Sequence, residues 1–182
     1  MMAAMLLRLD WAKAVFLDES GCRVGMRRER GWAPAGKRVV GKRPARHCRN
    51  ISMLGAIALG RRPLLMTHKG GVGTEVFVQF VRKRLVRWLR KGDVVFMDNL
   101  RAHKRPEVIE AVMEAGALPI FLPPYSPDLN PIEFWWADIK RQLRKLGIDS
   151  EPDLLVAIQS LRKRLSQARV AAWYRHVQAQ LK

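Results

Sequence analysis

Asp93-Val94-Val95-Phe96-Met97-Asp98-Asn99 (DVVFMDN) is the stretch that decides the fold. A short apolar run ended by acid and amide predicts a buried strand from Asp93 to Asn99. It lies between two helical patterns. Upstream, Thr74 to Arg90 carries Val78, Val81, Leu85 and Trp88 at helical spacing, with Thr74 as N-cap and Gly92 as the stop. Downstream, Arg105 to Ala115 predicts a helix closed by Gly116. Strands joined by helices imply a mixed sheet with parallel members and helical cover.

The pattern extends in both directions. Ala14 to Glu19 (AVFLDE) is a second apolar run ending in acid. Residues 21 to 50 hold many Gly, Pro, Arg and Lys, which predicts twisted strands and basic loops. Ile51 to Leu59 reads as a central strand, and Leu64 to Thr67 as another, ended by Lys69-Gly70-Gly71. Leu118 to Leu122 is a further short strand. A proline loop follows, then a helix from Pro131 to about Leu146 and two closing helices, Pro152 to Ser166 and Val170 to Gln180. The fold class is α/β. Both acid-ended strands carry a carboxylate at the C-terminal edge, where open α/β sheets gather ligands.

At 182 residues and 48% hydrophobic content, the chain fits one globular domain. No apolar run approaches the ~20 residues that cross a bilayer. The start, MMAAMLLRLD, lacks the charged region and cleavage site of a signal peptide. Cys22 and Cys48 lack metal-ligand spacing, so a reduced cytoplasmic protein without a zinc site is expected. Lys and Arg total 34 against 16 acidic residues, a net charge of +18. Such a field attracts polyanions, and nucleic acid is the expected partner. A basic surface kept for solubility, or for ribosomes or membrane, is the plainer alternative.

Three carboxylates compete between structural and chemical roles. Asp18 ends AVFLDE and can hold a metal ion at the mouth of a rigid strand, or simply start a turn or pair with an arginine. Asp98 falls on the strand face of Val94 and Phe96. Asn99 points away unless the turn reorients it, and His103 either orients a ligand or packs. Asn130-Pro131-Ile132-Glu133 spells an N-cap, a proline at the first helical position and a Glu at the third, a capping box. On a helical wheel Ile132, Trp135, Trp136, Ile139, Leu143 and Leu146 form one arc, with Glu133 on its flank beside Lys140 and Arg144. That flank is either a solvated charged edge or a carboxylate followed by cations for DNA.

Taken together, FLDESG, VVFMDNLRAHK and LPPYSPDLNPIEFWWADIK resemble the catalytic domain of mariner-superfamily DDE transposases, most closely the bacterial insertion-sequence 630 family. The 35 positions from Asp98 to Glu133 are similar to that group's spacing, and RGWAPAG (30–36) resembles the segment after the first acid. The resemblance covers about Ala14 to Leu146. It implies an RNase H-like fold in which Asp18, Asp98 and Glu133 bind two Mg²⁺ ions, with Mn²⁺ as substitute, and Glu19, Asn99, His103 and Asn130 stand nearby. The implied chemistry is cleavage at transposon ends and attack of the freed 3′-hydroxyl on target DNA, at TA, within a synaptic homodimer. A bacterial, nucleoid-associated location follows.

On this reading residues 1–13 are a lead-in or linker remnant and 14–182 form the RNase H-like catalytic domain with its C-terminal helices. The helix-turn-helix part usual in the family has no room in this chain. A second reading frame with a separately encoded helix-turn-helix partner, a fragment of a fused product and a decayed copy all stay open. Expected DNA contacts are Arg27, Arg28, Lys37, Arg38, Lys42, Arg43, Lys140 and Arg144, each otherwise a solvated charge. The alternative function is a non-enzymatic basic DNA-binding protein. An aspartyl phosphotransferase fits poorly, because Ser20 stands where that class carries its second Asp.

Overall fold

A computed structural model describes residues 9–28, 31–38, 40, 50–124 and 126–181. Among the described residues, five strands form one sheet: β1 (Ala14–Arg23), β2 (Asn50–Ala58), β3 (Leu64–Lys69), β4 (Val94–Met97) and β5 (Leu118–Phe121). Their order is β3-β2-β1-β4-β5. β1 pairs antiparallel with β2 and parallel with β4, which pairs parallel with β5. β3 pairs antiparallel with β2, so β2 alone runs against the rest. This is the mixed sheet that the alternation of strands and helices implied.

Alternation along β1 sorts side chains between two apolar layers. Ala14 and Phe16 face one core with Phe96, Trp135, Trp136 and Ile139. Val15 and Leu17 face the other with Val95, Met97, Phe77, Phe80 and Leu85. The second core is covered by α1 (Thr74–Phe80, continued through a π-helical Val81–Leu85 and a closing turn Val86–Trp88) and by α2 (Pro106–Glu114). The first is covered by α3 (Ile132–Leu146), α4 (Glu151–Arg164) and α5 (Gln167–Gln180). Tyr174 of α5 ties that layer to the sheet, its hydroxyl donating toward the carbonyls of Ala14 and Ile57 at 3.0 and 3.1 Å.

Several boundaries differ from the sequence expectation for local reasons. Thr74 is the first helical residue rather than the cap; Gly73 precedes it, with no side-chain capping bond. The helix stops at Trp88, before Gly92, because Leu89 turns extended and Trp88 donates its indole N–H to the Arg62 carbonyl at 2.9 Å. α3 is capped by Pro131 without a side-chain bond, so the Asn130–Glu133 capping box is not formed. Leu146, assigned to the core arc, is 60% exposed, at the last position of α3 before Gly147. Gly147 closes that helix in the left-handed region, at φ 60°. Among the described residues, no helix is long and apolar enough to cross a membrane.

Candidate catalytic cleft

Asp18 points to the first core by the alternation of β1, and Glu19 to the second. That parity sets their neighbours. Asp18 is 5% exposed, and Trp136 of α3 donates its indole N–H to Asp18 Oδ2 at 3.0 Å. Gly55 of β2 lies opposite Asp18 in the sheet. A β-carbon at Gly55 would stand 2.7 Å from the Trp136 ring and 3.1 Å from that of Trp135. The missing side chain therefore makes room for the stacked indoles, whose centroids are 5.0 Å apart.

Asp98 follows β4 directly. Its Oδ1 accepts from the Leu100 backbone N–H at 3.0 Å and lies 2.6 Å from Nδ1 of His103. Both His103 ring nitrogens are buried, and Asp98 is the group that faces Nδ1. His103 is fully buried and stacks on Phe77 at 4.1 Å between centroids. Asn99 does not point away: the turn swings it so that Nδ2 donates to the Leu122 carbonyl, tying the end of β4 to the proline loop.

One cleft of about 400 Å³ brings these groups together, lined by Asp18, Asp98, Asn99, Asn130 and Glu133 and walled by Pro123, Pro124 and Pro127. Glu133, in the first turn of α3, is exposed, and its side chain is free of any capping role. Asn130 is 5% exposed, and its Oδ1 has no partner. Glu19 does not line this cleft; it lies on the opposite sheet face, in the field of His103 and Asp98.

The electrostatics follow the burial. Asp18 is pushed up to about 7, first by burial and then by the negative charge of Glu133. Burial also leads in raising Glu19 above the usual carboxylate range. For Asp98 burial pushes upward, but the His103 side chain and the Leu100 N–H outweigh it and hold the carboxyl low.

Among the described residues, no three His, Cys, Asp or Glu side chains converge on one point to hold a metal ion. The three carboxylates rim the cleft instead. Their chemistry nevertheless fits a divalent cation. All are hard oxygen donors, Asn130 adds an unpartnered amide oxygen, and the Glu133 repulsion that adds to burial in raising Asp18 is the kind a cation relieves.

The expected DNA contacts separate. Arg27 is held by Asp149 through two 2.7 Å bonds. Arg28, Lys37, Arg38 and Arg144 are exposed, and Lys140 is half-buried. Lys42 and Arg43 lie outside the described residues, as does Cys48. Two features escaped the sequence reading. The Trp136–Asp18 bond was signalled by a tryptophan on a core-facing arc, since a buried indole N–H needs an acceptor. The space at Gly55 was signalled by a lone glycine inside an apolar strand.

A family profile described as DDE superfamily endonuclease matches residues 13–154. No curated protein matches the sequence. Among solved structures, the Mos1 transposase paired-end complex with left transposon end superposes with a TM-score of 0.77 at 15% identity, covering 99% of this chain and 56% of that one. The mariner Mos1 paired end complex with Mg gives 0.76 at 16%, covering 98% and 58%. The Mos1 transposase catalytic domain with Raltegravir and Mg gives 0.68 at 14%, covering 99% and 88%. At such identities the shared property is the RNase H-like fold. The chain spans little more than half the length of the paired-end-complex proteins.

Proposed function

Since the chain belongs to the DDE superfamily endonucleases, we propose that it is a transposase catalytic domain that cuts transposon-end DNA and joins the freed 3′-hydroxyl to target DNA. The observation that carries this reading is the cleft itself. Asp18, Asp98 and Glu133, far apart in sequence, rim one space, where burial first and the charge of Glu133 second raise Asp18 to about 7.

Asp18, Asp98 and Glu133 would hold two Mg²⁺ ions, or Mn²⁺ in their place. When bound, such ions activate the attacking water or 3′-hydroxyl and stabilise the leaving oxygen. The protein's own groups supply orientation. Trp136 fixes the Asp18 carboxylate through its indole N–H. His103 and the Leu100 N–H fix that of Asp98. Asn99 pins the strand end to the proline loop, which forms one wall of the cleft. Arg28, Lys37, Arg38, Lys140 and Arg144 are left to meet phosphates. A TA target, a synaptic dimer, a separate helix-turn-helix partner, a nucleoid-associated location and the insertion-sequence 630 subtype extend the same reading.

The test is nicking of end-labelled transposon-end DNA with Mg²⁺ or Mn²⁺, with a helix-turn-helix partner supplied. Metal-dependent nicking that disappears in Asp98→Asn is expected. Nicking that survives Asp98→Asn would remove the site. Folded protein that binds DNA without any nicking would return the reading to a non-enzymatic DNA-binding protein.

A further inference from the structure

A second pocket, of about 500 Å³, opens at the other edge of the sheet. β2 ends at Ala58 opposite Val15, and Asp93 precedes the β4 start that pairs with Ala14. The turn Gly60–Pro63 therefore lies where the parallel strands begin, whereas the catalytic cleft lies where β4 ends. Asp18 is four residues along β1 from Ala14, about 13 Å of strand.

Among the described residues, four cations line this pocket, Arg61, Arg62, Arg162 and Lys163, and no carboxylate does. Arg61 is already neutralised. It is 8% exposed and grips Asp93 through bonds of 2.7 and 2.6 Å, with its guanidinium 4.8 Å from the Trp88 ring centroid. Arg62, Arg162 and Lys163 have no acidic partner among the described residues. Three cations near the end of α4, Arg162, Lys163 and Arg164, also suit its C-terminal dipole. The dipole does not account for Arg62, which comes from the turn and also lacks an acidic partner. Free guanidinium and ammonium groups brought to one pocket from two segments, with no carboxylate in its lining, suit an oxyanion.

We propose that this pocket is a phosphate-binding site, distinct from the catalytic cleft, that holds backbone phosphate of duplex DNA against the opposite edge of the sheet. Arg62 and Lys163 are exposed and extend the positive surface outward, toward a neighbouring phosphate. Arg162 sits at the pocket itself. The DNA reading of the cleft supplies only the expected source of the phosphate; the pocket stands on its own groups.

The test measures DNA affinity against salt for the full chain, for Arg62→Gln/Lys163→Gln, and for a control with the same charge loss on α1, Lys83→Gln/Arg87→Gln. All four side chains are exposed, so both variants are expected to fold. Each lost phosphate contact flattens the slope of log affinity against log salt by ~0.9. The pocket variant is expected to flatten it by about 1.8, and the control by less. A pocket variant that matches the full chain or the control overturns the DNA role.

A second arm follows the thermal midpoint on titration with inorganic phosphate at constant ionic strength. A rise in the full chain that is absent from the pocket variant, with an unchanged salt slope, assigns the pocket to a free anion. With neither effect, the pocket is no phosphate site. Metal-dependent nicking is read separately, so failure of the cleft and failure of the pocket are distinguishable.

Discussion

At the scale of single residues, Asp18 carries the most informative conflict. Its carboxyl is raised to about 7 by burial and by Glu133. A raised folded-state value means the protonated form is favoured by folding. Its contribution to stability is present below about pH 4 and is lost as pH rises toward 7, at a cost on the order of 4 kcal/mol in metal-free protein. Asp18→Asn is therefore expected to raise the thermal midpoint at pH 8 without metal, yet to abolish nicking. An unchanged or lower midpoint at pH 8 would contradict this account of the site. Trp136→Phe keeps most of the ring and removes the N–H that favours ionised Asp18. The pH profile of nicking should move to higher pH, with a loss of about 1–3 kcal/mol in stability. A profile that stays in place would mean that the bond does not tune Asp18.

At the scale of elements, β2 and α3 are fitted to one another across the site. Gly55 admits the Trp136 ring, and Trp136 in turn reaches Asp18 on the neighbouring strand. Gly55→Ala forces an indole or a strand to move. We expect destabilisation of about 1–3 kcal/mol by denaturant unfolding, and slower nicking because Asp18 loses its fixed position. Wild-type stability in this variant would show that the layer is loosely packed. The helix start is instructive too. Asn-Pro-x-Glu has the letters of a capping box, but Asn130 is buried in the cleft with a free Oδ1 and Glu133 is left exposed. Cap rules describe local preference; here the preceding 3₁₀ turn, Pro127–Leu129, delivers Asn130 inward instead.

At the scale of the molecule, charge and topology combine. The chain carries +18, and its basic groups are spread around the sheet rather than confined to the cleft. DNA affinity should fall steeply between low and physiological salt, by at least about tenfold if several phosphates are held. A flat response, measured by titration of labelled duplex, would argue against nucleic acid as the partner. Order, type and approximate length of the elements were legible in the sequence because apolar periodicity and helix-stop residues are local signals. Asp18, Asp98 and Glu133 were legible only as an ordered trio that resembles a family's motifs; taken singly, each fitted a turn, an ion pair or a helix cap. Arg27, by contrast, looked like its basic neighbours, and only the fold brings Asp149 to it.

The sequence by itself determined the α/β alternation, the basic character and the three acids in order. The first two follow from periodicity and composition within a few residues; the acids were picked out only as an ordered trio by their resemblance to a known family. Only the tertiary structure decided that Trp136 bonds Asp18, that Gly55 is a space, that Asn130 faces the cleft without capping, and that four cations from a turn and a helix end form a second pocket. Those are contacts between segments distant in the chain, set by strand pairing and by which face each side chain takes, and no local pattern encodes them.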